Sequence, residues 1–190
     1  MSVVRVGFAM CGSFCTFSQV IPQIAALVKE GADVYPIMSQ MAATTDTRFG
    51  KAEDFVQQIE KICGKKIIST IAEAEPIGPK KLLDILIIEP CTGNTLGKLA
   101  NGITDSSVTM AAKSQLRNNR PVLIAVSTND GLTAGAKNIG MLQNYKNIFF
   151  VPYRQDDCEK KPSSLVADFS KTSVAMHSAL EKIQIQPMLL

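Results

Sequence analysis

The chain has 190 residues, of which 46% are hydrophobic and 19% charged, and 20 basic against 17 acidic side chains give a net charge of +3. This composition excludes a disordered protein, and scattered basic residues with no Trp and 3 Tyr exclude a nucleic-acid-binding surface. No apolar run reaches the roughly 20 residues of a membrane span. The length predicts a single domain over residues 1–190.

The first half of the chain predicts strand–helix units in succession. Residues 3–10 are an apolar run typical of a buried parallel strand, and a helix is predicted between Ser18 and Gly31. A second strand is predicted over residues 32–38 and a second helix over residues 55–62. Residues 66–69 are a candidate short edge strand.

The middle of the chain continues the same alternation. Residues 84–89 form the clearest buried strand, which Pro90 is expected to end. Helices are predicted over residues 96–103 and 108–116, and another strand over residues 121–126.

The last third is expected to contain a helix over residues 131–142, a final strand over residues 147–151 and a long helical stripe from Leu165 to Ile183. The polar segment of residues 155–164 is expected to be a solvated loop, with a mobile lid or a partner contact as the alternative. Alternating strands and helices predict an α/β protein with a parallel sheet and helices on both faces.

Four loops follow predicted strands and carry small polar residues: GFAMCGSF, SQMAATT, EPCTGNT and VSTND. In open parallel sheets, ligands bind beyond the carboxyl ends of the strands, where the strand order reverses. These loops are therefore the candidate ligand site.

The first two loops are weak signals when each is taken alone. Gly12 and Ser13 lie near a helix start, where free N–H groups attract anions, but a plain tight turn explains them equally well. Ser39, Thr44 and Thr45 offer hydroxyls to a phosphate, or they cap a helix.

The third loop is the most informative. Thr92, Gly93, Asn94 and Thr95 gather small hydrogen-bonding groups at one helix N-terminus behind Pro90. Gly93 permits close approach of the backbone, and Asn94 offers both a donor and an acceptor. We expect this helix start to be capped and to bind a ligand.

The cysteines and the histidine give little chemistry. The chain has 5 Cys without CxxC spacing, which indicates reduced thiols in the cytoplasm and no metal site. Cys11 and Cys91 lie at strand ends, where a thiolate is stabilised, but small buried packing residues are the more common case. His177, in the terminal helix, is expected to be structural or at the surface.

The three long loops together resemble the flavoprotein family that includes the homo-oligomeric flavin-containing cysteine decarboxylases. In that family the third motif reads P-A-S-A-N-T-I-x-K-x-A-x-G-x-x-D. The chain matches it at Pro90, Asn94, Thr95, Lys98, Ala100, Gly102 and Asp105. The resemblance covers essentially the whole chain.

The resemblance implies a three-layer, flavodoxin-like fold that binds FMN, often in a homo-oligomer. The residues that it assigns to the flavin are Gly12, Ser13, Phe14, Ser39, Thr45, Pro90, Thr92, Gly93, Asn94 and Thr95. VSTND stands where the decarboxylases have P-x-M-N, so Thr128 and Asn129 would face the substrate. Because the Pro and Met are replaced and no histidine corresponds to the decarboxylase one, the resemblance argues against decarboxylation.

The CTGNT form of the third motif and the tail VPYRQDDCEKKPSSLVADF resemble one branch of the family. That branch implies a cytoplasmic oxidoreductase component of sporulating bacteria. It would act with a nicotinamide-binding partner protein to oxidise a dihydrodipicolinate-level dicarboxylate to dipicolinate. A flavin-dependent decarboxylase and a non-catalytic protein that completes its partner's site are the alternatives.

Overall fold

The computed structural model describes residues 3–190 and is built around one seven-stranded sheet. Its strands are β1 (Arg5–Met10), β2 (Asp33–Met38), β3 (Ile85–Cys91), β4 (Val122–Thr128), β5 (Ile148–Phe150), β6 (Tyr153–Asp157) and β7 (Lys161–Ala167). Strands β1 to β5 are parallel, in the order β2-β1-β3-β4-β5. The order reverses at β1, and the loops after β1 and β3 therefore border a crevice of the kind in which such folds bind ligands.

Two different strands pair with the same edge of β4. Val122, Leu123 and Ile124 pair with β5, whereas Ser127 and Thr128 pair with antiparallel β7. Strand β6 then pairs with β7, which makes a hairpin at the sheet edge beside the crevice.

Helices cover both faces of the sheet. They are α1 (Phe17–Lys29), α2 (Gln40–Thr44), α3 (Ala52–Cys63), α4 (Ile71–Ala74), α5 (Gly93–Ala100), α6 (Ser107–Arg117), α7 (Ala136–Gln143) and α8 (Thr172–Leu180). Helix α1 contacts both α3 and α8 on one side, and α5 contacts both α6 and α7 on the other. The predicted three-layer α/β fold is confirmed. Among residues 3–190, no helix is both long and apolar enough to cross a bilayer.

The central strands explain why the apolar runs of the sequence are continuous. Every residue of β3 is buried, as are those of β1 and β4 except at one end of each. Parallel strands covered on both faces need apolar side chains at successive positions. Gly7 in β1 leaves room for the side chain of Leu83, which a Cβ at this position would overlap.

Two expectations about the strands were wrong. Strand β3 runs through Pro90 to Cys91, because the missing N–H falls where the register with β4 shifts and no ladder bond is required. Residues 66–69 do not form a strand; only Ile68 makes a bridge, to Ile37 of β2.

Three expectations about the helices and the last third were also wrong. Residues 155–164 belong mostly to the β6–β7 hairpin, so the strand at residues 147–151 is not the last. The apolar stripe from Leu165 divides between β7, a short 3-10 helix and α8, which begins only at Thr172. Helix α7 begins at Ala136, since the carbonyl of Asp130 instead accepts hydrogen bonds from the turn residues Thr133 and Gly135.

Candidate functional site

A cleft of about 860 Å³ lies at the carboxyl ends of β1, β3 and β4. Its walls come from the β1 loop, the start of α5, the β4 loop, the segment around Phe49 and the β6–β7 hairpin. The volume falls within the range of small-molecule and cofactor sites. The cleft brings together eight predicted site residues: Gly12, Ser13, Phe14, Thr92, Gly93, Asn94, Thr128 and Asn129.

The β1 loop is tied to the end of β4. The hydroxyls of Ser13 and Ser127 lie 2.8 Å apart, although 114 positions separate them in the chain. The hydroxyl of Thr16 donates to the carbonyl of Ser13 at 2.8 Å. These hydrogen bonds hold the β1 loop against the end of β4, and both segments line the cleft.

The N-terminus of α5 is open toward the cleft. The expectation that a side chain caps this helix was wrong: Thr92 occupies the N-cap position but makes no side-chain capping bond, so the first N–H groups of the helix lack this partner. Its hydroxyl instead donates to Thr95, which donates to Cys11 Sγ at 3.2 Å. Asn94 is exposed, and its side chain makes no hydrogen bond within residues 3–190. Free N–H groups and a helix dipole favour an anionic or electron-rich ligand here.

The β4 loop packs tightly against this helix start. Thr128 donates to Asp130 Oδ1 at 2.5 Å, and a Cβ built on Gly93 would come within 2.6 Å of both oxygen atoms. A side chain at position 93 is therefore sterically excluded. The glycine lets the helix start and the β4 loop meet at the cleft.

Four predicted site residues do not line the cleft. Ser39 caps α2 by accepting a hydrogen bond from Ala42 N at 3.3 Å, and Thr45 ends the same helix. Pro90 is buried within β3, and Thr95 is buried beneath the cleft against Cys11.

Sequence reasoning missed three charged residues of the cleft, Arg48, Asp130 and Arg154, and the half-exposed ring of Phe49. Asp156 and Lys161 also line the cleft; they belong to the polar segment of residues 155–164, for which a lid or a partner contact was the alternative to a solvated loop. Isolated charges in polar segments carry no periodic signal, so only the fold shows that they converge.

Cys11 and Cys91 are packing residues. Both are fully buried, and burial raises the pKa of the Cys11 thiol to about 11 despite the hydrogen bond from Thr95. Burial also raises the pKa of Cys91 well above its usual value. Neither thiol is a nucleophile near neutral pH. His177 is exposed on α8, away from the cleft, 3.9 Å from a carboxylate oxygen of Glu30.

Glu89 is a buried carboxyl at the end of the predicted buried strand of residues 84–89, although the sequence alone did not single it out. Its Oε2 lies 2.6 Å from the Thr172 hydroxyl, and its Oε1 has no partner within residues 3–190. Burial raises the pKa of Glu89 to about 8, and the bond with Thr172 only partly opposes this. The group lies outside the cleft, and the neutral acid is its favoured form.

The cleft, with its uncapped helix start and polar loops, lies where the strand order reverses, which is where α/β proteins of this topology bind ligands. Residues 1–182 match the family model described as Flavoprotein, and the chain belongs to this family.

Individual proteins that resemble the chain define its place within this family more closely. The chain is 48% identical over 185 residues to the B component of dipicolinate synthase from Bacillus subtilis (strain 168), covering 97% of this chain and 92% of the relative. The crystal structure of the same component from Bacillus halodurans C superposes with a TM-score of 0.91 at 42% identity, over 100% of this chain and 98% of that one. The FMN-dependent cysteine decarboxylase SpaF shares the fold, with a TM-score of 0.66 at 22% identity over 93% and 97% of the two chains.

Proposed function

We propose that this chain acts as the B component of a two-component dipicolinate synthase in a sporulating bacterium. Its partner, the A component of dipicolinate synthase, would bind NAD(P). The reaction would oxidise a dihydrodipicolinate-level dicarboxylate to dipicolinate: as the ring becomes aromatic, the hydride would end on the oxidised nicotinamide of the A component and the proton would go to solvent. The observation that carries the proposal is the 48% identity to a B component across 97% of the chain.

We further propose that the cleft holds FMN. The free N–H groups of α5 and the amide of Asn94 are donors suited to a phosphate or to a polar ring edge, and the hydroxyls of Ser13 and Thr92 line the same cleft. The volume of about 860 Å³ accommodates a ligand of this size together with a small substrate. A bound flavin would supply a redox-active ring able to accept a hydride.

Within this proposal the chain's own residues bind and orient the reactants. Gly93 and Asn94 would hold the cofactor, and Phe14 would border it. Thr128 and Asn129, in the β4 loop that adjoins this helix start, would face the substrate. Ser39, Thr45, Pro90 and Thr95 would act indirectly, because they support α2, β3 and the base of the cleft. Holding the substrate near a hydride acceptor is the main contribution expected, since aromatisation already drives the reaction.

The proposal also includes the assembly and its location. A homo-oligomer of this chain would bind the A component in the cytoplasm of the mother cell. The relatives are named as the second component of a synthase, which supports the existence of a partner. The cage-forming FMN complex of DmrB from Burkholderia xenovorans, at 17% identity, shows self-assembly on the same fold.

Two measurements test the proposal. The visible absorption spectrum of the purified chain after FMN addition and desalting should retain a perturbed flavin band, and Asn94→Ala should lose it while binding the A component normally. Dipicolinate formation should require both components. Equal rates with the A component alone would refute the function, and carbon dioxide release from a cysteine-ended peptide would favour the decarboxylase alternative.

A further inference from the structure

The charges that line the cleft do not balance. Lys161 Nζ is paired with Asp156 at 2.6 Å. Asp130 accepts a hydrogen bond from Thr128 and forms no ion pair in the part of the chain that the structure describes. Arg48 and Arg154 also lack a carboxylate partner there, and only Arg48 has a defined contact, with its guanidinium 4.9 Å from the centre of the Phe49 ring. The guanidinium of Arg154 is therefore free to receive an anion.

The sheet register places Arg154 on the wall of the cleft. In the pairing of β4, β7 and β6, Ser127 opposes Val166, and Val166 opposes Arg154. Directly opposed residues point to the same face of a sheet, with Cβ atoms about 5 Å apart. All three line the cleft, and Ser127 contacts Ser13 at its floor. These three opposed residues therefore connect the proposed cofactor loops with the guanidinium of Arg154.

We propose that Arg154 binds one carboxylate of the dicarboxylate substrate and makes the cleft selective for a ring with two carboxylates. A guanidinium binds a carboxylate through two parallel N–H···O bonds, which fixes orientation as well as adding affinity. Lys161 is already neutralised by Asp156, so Arg154 is the cation that the hairpin leaves available. This inference rests on the proposed function, because it takes the substrate to be a dicarboxylate.

The test uses the complete mixture of this chain, FMN and the A component. Steady-state kinetics would compare the wild type with Arg154→Gln, Arg154→Lys and a control, Lys160→Gln, at the exposed hairpin turn outside the cleft. The same samples would be inhibited with pyridine-2,6-dicarboxylate and with pyridine-2-carboxylate. The affinity of each variant for the A component would be measured separately.

Arg154→Gln should raise KM roughly 10- to 100-fold, as expected for loss of a charge-assisted hydrogen-bonded pair. It should also abolish the preference for the dicarboxylate inhibitor. Arg154→Lys should restore part of both, and Lys160→Gln should change neither.

An unchanged KM and preference in Arg154→Gln would overturn the assignment while leaving the proposed function intact. Weaker binding of the A component with an unchanged preference would overturn it as well, because Arg154 would then be an interface residue. Dipicolinate formation that does not depend on this chain would instead refute the proposed function.

Discussion

Replacing Glu89 by Gln should make the protein more stable at neutral pH and remove a pH dependence. The Thr172 hydroxyl has one proton but two neighbouring acceptors, Glu89 Oε2 at 2.6 Å and the carbonyl of Phe169 at 2.8 Å. A protonated Glu89 resolves this competition, because it donates its own proton to the Thr172 hydroxyl, which then donates to the carbonyl of Phe169. An ionised Glu89 would be a buried charge without a counter-charge. The amide of Gln has the same shape and no charge, so it avoids the free-energy cost of burying or protonating a carboxylate.

The magnitude follows from the pKa of Glu89, which burial raises from 4.5 to about 8. Between these values the folded protein holds one more proton than the unfolded chain, so the free energy of unfolding falls as the pH rises. At about 1.4 kcal/mol per pKa unit, the total loss is roughly 5 kcal/mol, of which about 3 kcal/mol has occurred by pH 7. Below pH 4.5 the stabilisation is complete, and above pH 8 the loss is constant.

Urea unfolding followed by circular dichroism at about pH 5, 6, 7 and 8 measures this effect. The free energy of unfolding of Glu89→Gln should exceed that of the wild type by a difference that grows by about 1.4 kcal/mol per pH unit. Glu73→Gln is the matched control: backbone N–H groups of Ser69 and Thr70 lower the pKa of Glu73, so its difference should stay flat over this range. A flat difference for Glu89→Gln as well would refute the reasoning.

Three further predictions concern the cleft and the core. Iodoacetamide at about pH 8 should modify the exposed Cys15 of the native protein but not the buried Cys11, because burial raises the pKa of the Cys11 thiol to about 11. Mass spectrometry would locate the label, and equal labelling of both cysteines would contradict the packing role of Cys11. Gly93→Ala should weaken FMN retention about 10-fold or more, because its Cβ would lie 2.6 Å from two side-chain oxygens, whereas Gly97→Ala, with a nearest contact at 3.4 Å, should retain FMN normally. Gly7→Ala should lower the free energy of unfolding by about 1–3 kcal/mol, because the new methyl overlaps a buried leucine, and an unchanged urea midpoint would show that the core adapts.

The sheet and most of the loops that line the cleft could be predicted because their signals are local. A strand buried on both faces is an uninterrupted apolar run, as in residues 85–88, and a polar loop directly after it marks a carboxyl end. The prediction missed the β6–β7 hairpin because its outer residues are polar and exposed, with no alternation to read. Leu165 and Phe169 lie four positions apart, which is helical spacing, although a strand end and a short 3-10 helix place both in the core.

The site itself was predictable only in part. Gly93 and Asn94 belong to a dense motif, whereas Arg48 and Arg154 are single charges in unpatterned segments. Ser39 and Thr45 were proposed as ligand residues because hydroxyls serve caps and ligands equally well, and the structure places both at the ends of α2. Which role a hydroxyl takes depends on neighbours that are distant in sequence.

The bond between Ser13 and Ser127 also has a consequence for synthesis of the protein. The partners are 114 positions apart, and the wall that contains Arg154 is added later still by β6 and β7. While the polypeptide is being translated, the ribosome exposes the β1 loop long before the residues that complete the cleft. On the proposed function, FMN would therefore find its complete cleft only after nearly the whole chain has left the ribosome.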